Sequence, residues 1–501
     1  MINFCLTNDL SLSMRKYPNY IDLYNGFSLG YEEDVEVHET KDVIVLLCGI
    51  MWENDIDQFV NLDGLVPNGM FYAIRYDKYK QKVTVITDFV ETFSIYSYVK
   101  NNKVIVTNKL ISLSNKYFQL NDRWINLAIN GVYVDRKLIS YENIPNWMCY
   151  DGYPSDTWYS GITPINNVKM VGPGAFFTID LATCKTSHTL YYDARRDYVD
   201  LAYDVTKKLT FDEITGLSDI ILRKNIDKIY KKYNKRLIPS ICNGIDGIHI
   251  ASMLGDRIND LKVVGYTGDW FVDEPPNRLI KLYENFPKGE LSIMDKKTYD
   301  SIYYEVNELH CDMPIMNPSL MPEVVRWKDK FPNAVYLKGS FGDEIFWHDG
   351  NSGLVAAIHE LGARTLDEAK KMLEPYYVYV PYIYNEKMFE YYKSKTLLDG
   401  MLSYHYYRQK VYMRDELPLY DQLIVSPYVD IRLRQMMPLA DYDARIRNML
   451  DAESQKVMID KKWLSHINPH KGGMEESHAF IDRLKCTRHM LKSFIKKWHN
   501  S

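Results

Sequence analysis

The sequence predicts an α/β protein in two parts, a strand-rich segment over residues 1–200 and a segment over 201–501 in which strands alternate with helices to about 350 and helices follow. Three observations carry this reading. Arg236 to Leu254 runs from an apolar strand through a small loop with two glycines into an apolar helix. Asn333 to Phe346 repeats that pattern and ends its turn in an acidic pair, Asp343-Glu344. Before residue 200, apolar runs of strand length follow one another, separated by polar and Gly/Pro turns.

In the first part, Val43 to Leu47 is a continuous apolar run. Met70 to Tyr76 and Lys82 to Thr87 read as paired strands joined by a polar turn at Asp77 to Gln81, and Asn61 to Gly64 marks the turn before them. Lys103 to Thr107 is a further strand. Gly172 to Asp180 is a Gly/Pro turn feeding another, and Tyr191-Tyr192-Asp193 closes the region. In the second part, Asp212 to Tyr233 is a charged periodic helix with Ile214, Leu217, Ile220, Ile221, Ile226 and Ile229 available for one face. Leu261 to Thr267 is a strand and Arg278 to Phe286 a helix. Such alternation argues for a parallel sheet with helices on both faces. Ser352 to Leu361 and Leu366 to Leu373 are short helices with Gly362 as a stop, and Lys387 to Met413 is amphipathic. The tail Lys485 to Ser501 interleaves basic and apolar residues; it is a solvated amphipathic helix or a contact for nucleic acid or an acidic partner.

The chain has 501 residues, 46% of them hydrophobic, enough for a well-buried core and two or more domains. A net charge of −5 leaves no overall basic excess for nucleic acid. The sequence shows no apolar run of transmembrane length and no signal-peptide pattern. Its seven cysteines have irregular spacing, without a disulfide framework or zinc signature. A cytoplasmic protein with no membrane contact is the expectation.

A strand, a Gly turn and a helix N-terminus make a place where backbone N–H groups and the helix dipole hold a phosphate. Glycines in such turns also serve packing alone. Asp246 and Asp343 stand at two such strand ends and could share one Mg²⁺, which takes one or two carboxylates with phosphate oxygens and water. The alternative for Asp246 is a helix N-cap. Glu344 either orients a ligand or caps its own helix.

Cys242-Asn243-Gly244-Ile245-Asp246-Gly247 and Gly339-Ser340-Phe341-Gly342-Asp343-Glu344-Ile345-Phe346, in this order, resemble the asparagine synthetase family, which includes β-lactam synthetases and lasso-peptide cyclases. The family motifs are Ser-Gly-Gly-x-Asp-Ser and Gly-x-Gly-x-Asp-Glu-x-Phe. Three later stretches resemble further landmarks. Ser426 to Leu433 is similar to Pro-Phe-Leu-Asp-x-x-Leu, Gln455 to Ile459 to Lys-x-x-Leu-Arg, and Asn468 to Met474 to Arg-x-Lys-x-Gly-Phe. The resemblance implies an Ntn-hydrolase-like α+β sandwich with outer helices over 1–200. It implies an adenine nucleotide α-hydrolase-like parallel α/β domain, helical at its C-terminal end, over 201–501. It further implies ATP and pyrophosphate binding by Cys242, Asn243, Gly244, Asp246, Gly247, Gly339, Ser340 and Lys471, with adenine near Val264 to Thr267. Mg²⁺ falls to Asp246 and Asp343, and catalytic roles to Lys471 and Glu344.

The departures from the family are as informative. Its glutaminase domain needs an N-terminal cysteine as nucleophile. Here the chain begins Met1-Ile2-Asn3-Phe4-Cys5, so removal of Met1 exposes Ile2. The family's Asn-Gly-Glu glutamine clamp corresponds to Cys48-Gly49-Ile50. Both losses imply that glutamine is not hydrolysed. In the phosphate loop Cys242 is a weaker donor than serine and Gly247 has no hydroxyl, while Asn243 either compensates or obstructs. Each lost charge-assisted bond costs about 1.5–3 kcal/mol. Ser340 stands where synthetases of the family carry a Glu or a Tyr dyad.

The function expected from this resemblance is an ATP-dependent, amide-bond-forming ligase. It would activate a small-molecule or peptide carboxylate as an acyl-adenylate, for attack by an amine from a source other than glutamine. A homodimer is an open alternative to a monomer. The rival functions are a non-catalytic binding or scaffold protein of the same fold and an ammonia-dependent asparagine synthetase.

Overall fold

The computed structural model describes residues 3–109 (less 10, 11, 13–16 and 54), 165–193, 208–268, 276–295, 329–348, 350–379, 386–401 (less 399) and 422–468, with a few single positions between. Among the described residues, twelve strands precede residue 191: β1 (Phe4–Thr7), β2 (Asn19–Asp22), β3 (Ser28–Tyr31), β4 (Glu36–Glu39), β5 (Val43–Met51), β6 (Gly69–Asp77), β7 (Lys82–Thr87), β8 (Tyr96–Lys100), β9 (Lys103–Thr107), β10 (Val168–Met170), β11 (Ala175–Asp180) and β12 (Thr186–Leu190). They form two six-stranded antiparallel sheets, ordered β10-β8-β9-β1-β3-β2 and β12-β11-β7-β6-β5-β4. Phe4, Leu6 and Val106 of the first sheet share one core with Leu46, Tyr72 and Val85 of the second. The Phe4 and Tyr72 rings meet at 4.9 Å. The continuous apolar run of β5 follows from burial on both faces. Ile44, Leu46 and Cys48 face that shared core, while Val43, Val45 and Leu47 pack with Phe59 and Phe71 behind the sheet. Outer helices are not among the described elements of this half.

Cys5 and Cys48 are both enclosed. Cys5 lies inside β1, paired with Gly30 and Thr107 and 2% exposed. Burial pushes the Cys48 thiol up to about 12. The segment Cys48-Gly49-Ile50 is interior strand rather than a binding loop: all three pair with β6, and the Gly49 carbonyl accepts from Lys232 Nζ (2.8 Å) and Tyr233 Oη (2.9 Å) of the following half.

The second half opens with α1 (Phe211–Tyr233), whose start is fixed by a Thr210/Glu213 capping box. Its buried stripe runs through Ile214, Ser218, Ile221, Asn225, Ile226 and Ile229. Leu217 and Ile220, expected on that face, are 44% and 54% exposed. The three-to-four spacing of the stripe leaves these two on the solvent side.

Five short parallel strands follow among the described residues: β13 (Leu237–Pro239), β14 (Val263–Gly268), β15 (Gly289–Met294), β16 (Val335–Leu337) and β17 (Leu423–Val425). β13 pairs β16, β16 pairs β17, and β14 pairs β15. A parallel bridge from Ser240 to Val264 joins the two groups. The resulting spatial order is β15-β14-β13-β16-β17. Counted along the chain this is 3-2-1-4-5, so the direction of winding reverses between β13 and β16. Open α/β sheets take their ligands at such a reversal, outside the carboxyl ends of the two strands.

The turn after β17 bolts the two halves together. Asp430 is fully buried and caps the helix Ile431–Leu439. Its carboxylate accepts from Asn68 Nδ2 (2.9 Å) in the first half and from Asn225 Nδ2 (3.0 Å) on α1. Trp52 Nε1 also donates to the Val429 carbonyl.

Candidate functional site

The two loops that leave β13 and β16 come together where the strand order reverses. The first passes through Cys242 and Asn243 into α2 (Ile245–Leu254), with Gly244 as N-cap and no side-chain cap. Asp246 therefore sits in the first turn and is not the cap itself. The loop closes tightly over that turn. A Cβ at Gly247 would stand 2.7 Å from the Cys242 carbonyl oxygen, so the hydroxyl-bearing residue of the family motif has no room here. The second loop passes through Gly339, Ser340 and Phe341 into a one-turn helix, α3 (Gly342–Phe346). Phe341 adopts a left-handed φ of 82° while 5% exposed, and Ser426 Oγ ties down the Ser340 carbonyl at 2.6 Å.

The two loops are in van der Waals contact at one residue. A Cβ on Gly339 would meet the Asp246 backbone carbon at 2.7 Å, and one on Gly342 would meet Asp246 Oδ1 at 2.0 Å. These glycines admit Asp246 between them. Asp246, Asp343 and His348 then form a cluster whose ligand atoms lie within 4.8 Å of one another. His348 Nδ1 is 3.4 Å from Asp343 Oδ1, and Nε2 is 3.7 Å from Asp246 Oδ1. The carboxylate side chains keep 20% and 31% of their exposure, whereas the imidazole keeps 1% and lies beneath them.

Support for Asp246 comes from the interior. Gln455 Nε2 donates to Asp246 Oδ1 at 2.8 Å and lies 3.1 Å from Tyr428 Oη. Tyr428 Oη in turn meets His249 Nδ1 at 2.8 Å. Burial lowers the His249 imidazole to about 3, so this end of the relay is neutral. Burial, with the Asp343 charge added, raises the Asp246 carboxyl, while the contacts to His348 and Gln455 pull it down. A bound cation would offset that repulsion, because Asp246, Asp343 and His348 bring two acidic groups and one imidazole together.

The remaining residues singled out by sequence are spread around this cluster. Cys242 is the exposed side chain of the first loop. Asn243 is 3% exposed, and its Nδ2 has no hydrogen-bond partner among the described residues. Its carbonyl accepts from the Asn468 amide at 2.9 Å, so the segment leading to Lys471 departs from beside this loop. Lys471 itself lies outside the described residues, as do 269–275, 469–474 and the basic tail. Glu344, expected in a catalytic role, is 5% exposed on α3, a placement suited to orienting a neighbour rather than touching substrate. Sequence reading missed His348, Gln455, Tyr428 and His249. For His348 a signal existed: it follows Asp343 by five residues with only one helical turn between.

The donor set fits a divalent cation, since two carboxylates converge from separate strands. Phosphate binding has the N-terminus of α2 to draw on, where the Ile245 amide is directed at the buried Tyr377 hydroxyl.

No family model matches the sequence, and no curated protein matches it. Among solved structures, the U34-tRNA thiolase NcsA from Methanococcus maripaludis, described with its 4Fe-4S cluster, aligns at 12% identity over 58% of this chain and 80% of that one. The TM-score is 0.21, a likeness too loose to carry any argument about chemistry. Among the described residues, no helix is long and apolar enough to cross a membrane.

Proposed function

We propose that the chain is an ATP-dependent synthetase that joins a carboxylate to an amine, releasing AMP and pyrophosphate. One observation carries the reading. Asp246 and Asp343 meet at the carboxyl ends of β13 and β16, where the strand order reverses. In this reading the two aspartates hold the divalent cation, which neutralises phosphate charge when bound. Gln455 and the two contacting glycines fix the Asp246 carboxylate. The pyrophosphate lies at the positive end of α2, whose N-cap is Gly244. Lys471 offsets charge on the departing pyrophosphate. The acyl substrate is activated as an adenylate, and the amine attacks its carbonyl.

The first half serves as a glutaminase-like domain without its nucleophile. Cys5 is strand interior and the Cys48 thiol stays protonated, so the amine comes from elsewhere than glutamine. A second reading, a non-catalytic relative that kept the fold, is favoured by the buried Asn243 and by the absence of space for a side chain at 247.

Exchange of radiolabelled pyrophosphate into ATP separates the two. The full chain is incubated with divalent cation and pools of carboxylic acids, including aspartate with ammonia as one arm. Exchange that depends on one acid supports the synthetase, and the aspartate arm identifies asparagine formation. No exchange with any pool favours the non-catalytic relative.

A further inference from the structure

We propose that His348 is a third ligand, so that this centre takes a first-row transition ion such as Mn²⁺ in preference to Mg²⁺. The inference rests on the reading of Asp246 and Asp343 as a cation site, and departs from the Mg²⁺ that the sequence resemblance implies. Mg²⁺ is a hard ion that favours oxygen donors and loses water reluctantly. An imidazole nitrogen in the ligand set shifts preference toward the first-row transition ions, among which Mn²⁺ binds most weakly and stands nearest to Mg²⁺, so it serves as the probe.

The placement of His348 is built rather than incidental. Its side chain is 1% exposed, yet its two ring nitrogens face the two carboxylates at 3.4 and 3.7 Å. The chain brings it there by ending α3 at Trp347 in a left-handed conformation, φ 54°. The His348 amide then donates back to the Asp343 carbonyl at 3.2 Å, tying the imidazole to the carboxylate of the same turn. On the other side Gln455 orients Asp246, the outer support that metal ligands commonly have. One buried nitrogen donor below and two partly exposed oxygen donors above leave the outer face of the ion to water or phosphate.

The test uses Mn²⁺ alone, without ATP, titrated into the full chain and read by electron paramagnetic resonance. Wild type is expected to bind Mn²⁺ with ¹⁴N coupling from one imidazole, and Mg²⁺ is expected to displace it only in large excess. His348→Gln should lose the ¹⁴N coupling and cut the preference for Mn²⁺ over Mg²⁺ by about tenfold to a hundredfold. Its far-ultraviolet circular dichroism checks that it folds. Mn²⁺ bound to wild type without ¹⁴N coupling overturns the proposal even if the variant does not fold. Binding that appears only in His348→Gln also overturns it, since the ring would then be standing in the cation's place. Failure of the nucleotide reading shows separately, as metal binding without affinity for ATP.

Discussion

Replacing Gly342 with alanine puts a methyl group where Asp246 now stands. The new Cβ would lie 2.0 Å from Oδ1, 2.4 Å from Cγ and 2.7 Å from Oδ2 of that side chain. Since real Cβ contacts under 3.0 Å are essentially unknown, the carboxylate must retreat by about 1 Å. It cannot do so freely, because Oδ1 accepts from Gln455 and Gly339 packs on the backbone of the same residue. Overpacking of this kind costs about 1–3 kcal/mol. If that cost falls on the ligand geometry, Mn²⁺ affinity drops by about fivefold to a hundredfold. Calorimetric titration of Mn²⁺ measures the loss, and urea denaturation reports any part taken by the fold. Gly216→Ala is the control. Its Cβ would meet nothing within 4 Å on the exposed side of α1, so it should stabilise by about 0.5–1 kcal/mol and leave metal binding unchanged. Wild-type metal affinity together with wild-type stability in Gly342→Ala would show that Asp246 is free to swing away, and the packing argument for the site would fail.

Other outcomes follow from the same contacts. Asp430→Ala strands the buried amides of Asn68 and Asn225 and should cost about 2–5 kcal/mol in urea denaturation, with loss of cooperativity between the two halves. Two buried groups should give opposed pH slopes. Asp88 accepts from the amides of Phe71, Val90 and Thr92, yet burial pushes its carboxyl up to about 7. The folded state therefore holds a proton that the unfolded chain releases, and this contribution is full below about pH 4 and lost as pH rises to about 7. His249 runs the other way: with its imidazole lowered to about 3, its contribution is present above the usual histidine range and lost as pH falls toward 3. Each slope is worth at most on the order of 4 kcal/mol. Asp88→Asn should therefore gain stability with rising pH relative to wild type, and His249→Gln should lose it. Denaturation midpoints between pH 4 and 7 check both signs.

Strands that carry buried apolar runs were legible in the sequence, β7 and β9 to the residue and β6 and β11 nearly so, while β5 runs four residues past the apolar run at Val43 to Leu47. The strands that escaped were mainly edges or very short. β2, β4 and β12 close the ends of their sheets and carry Asn19–Asp22, Glu36–Glu39 and Thr186–Leu190, mostly exposed. One open side removes the need for an apolar pattern. β17 is three residues long and leaves too little for any period. At the site, the carboxylates were legible because each follows a glycine turn after a strand. Gln455 was not, since it lies 209 residues from the carboxylate it supports and only the packed fold brings them together. Nor did the motif comparison disclose that Gly247 is fixed by the Cys242 backbone; that needs the loop's actual closure.

Calorimetric titration of ATP into the full chain, with Mn²⁺ or Mg²⁺ present and Asp246→Asn run in parallel, decides whether the loops after β13 and β16 form a nucleotide site. Saturable one-site binding by wild type, abolished in the variant, is the result predicted. An absence of binding by wild type, or equal affinity in Asp246→Asn, would contradict it.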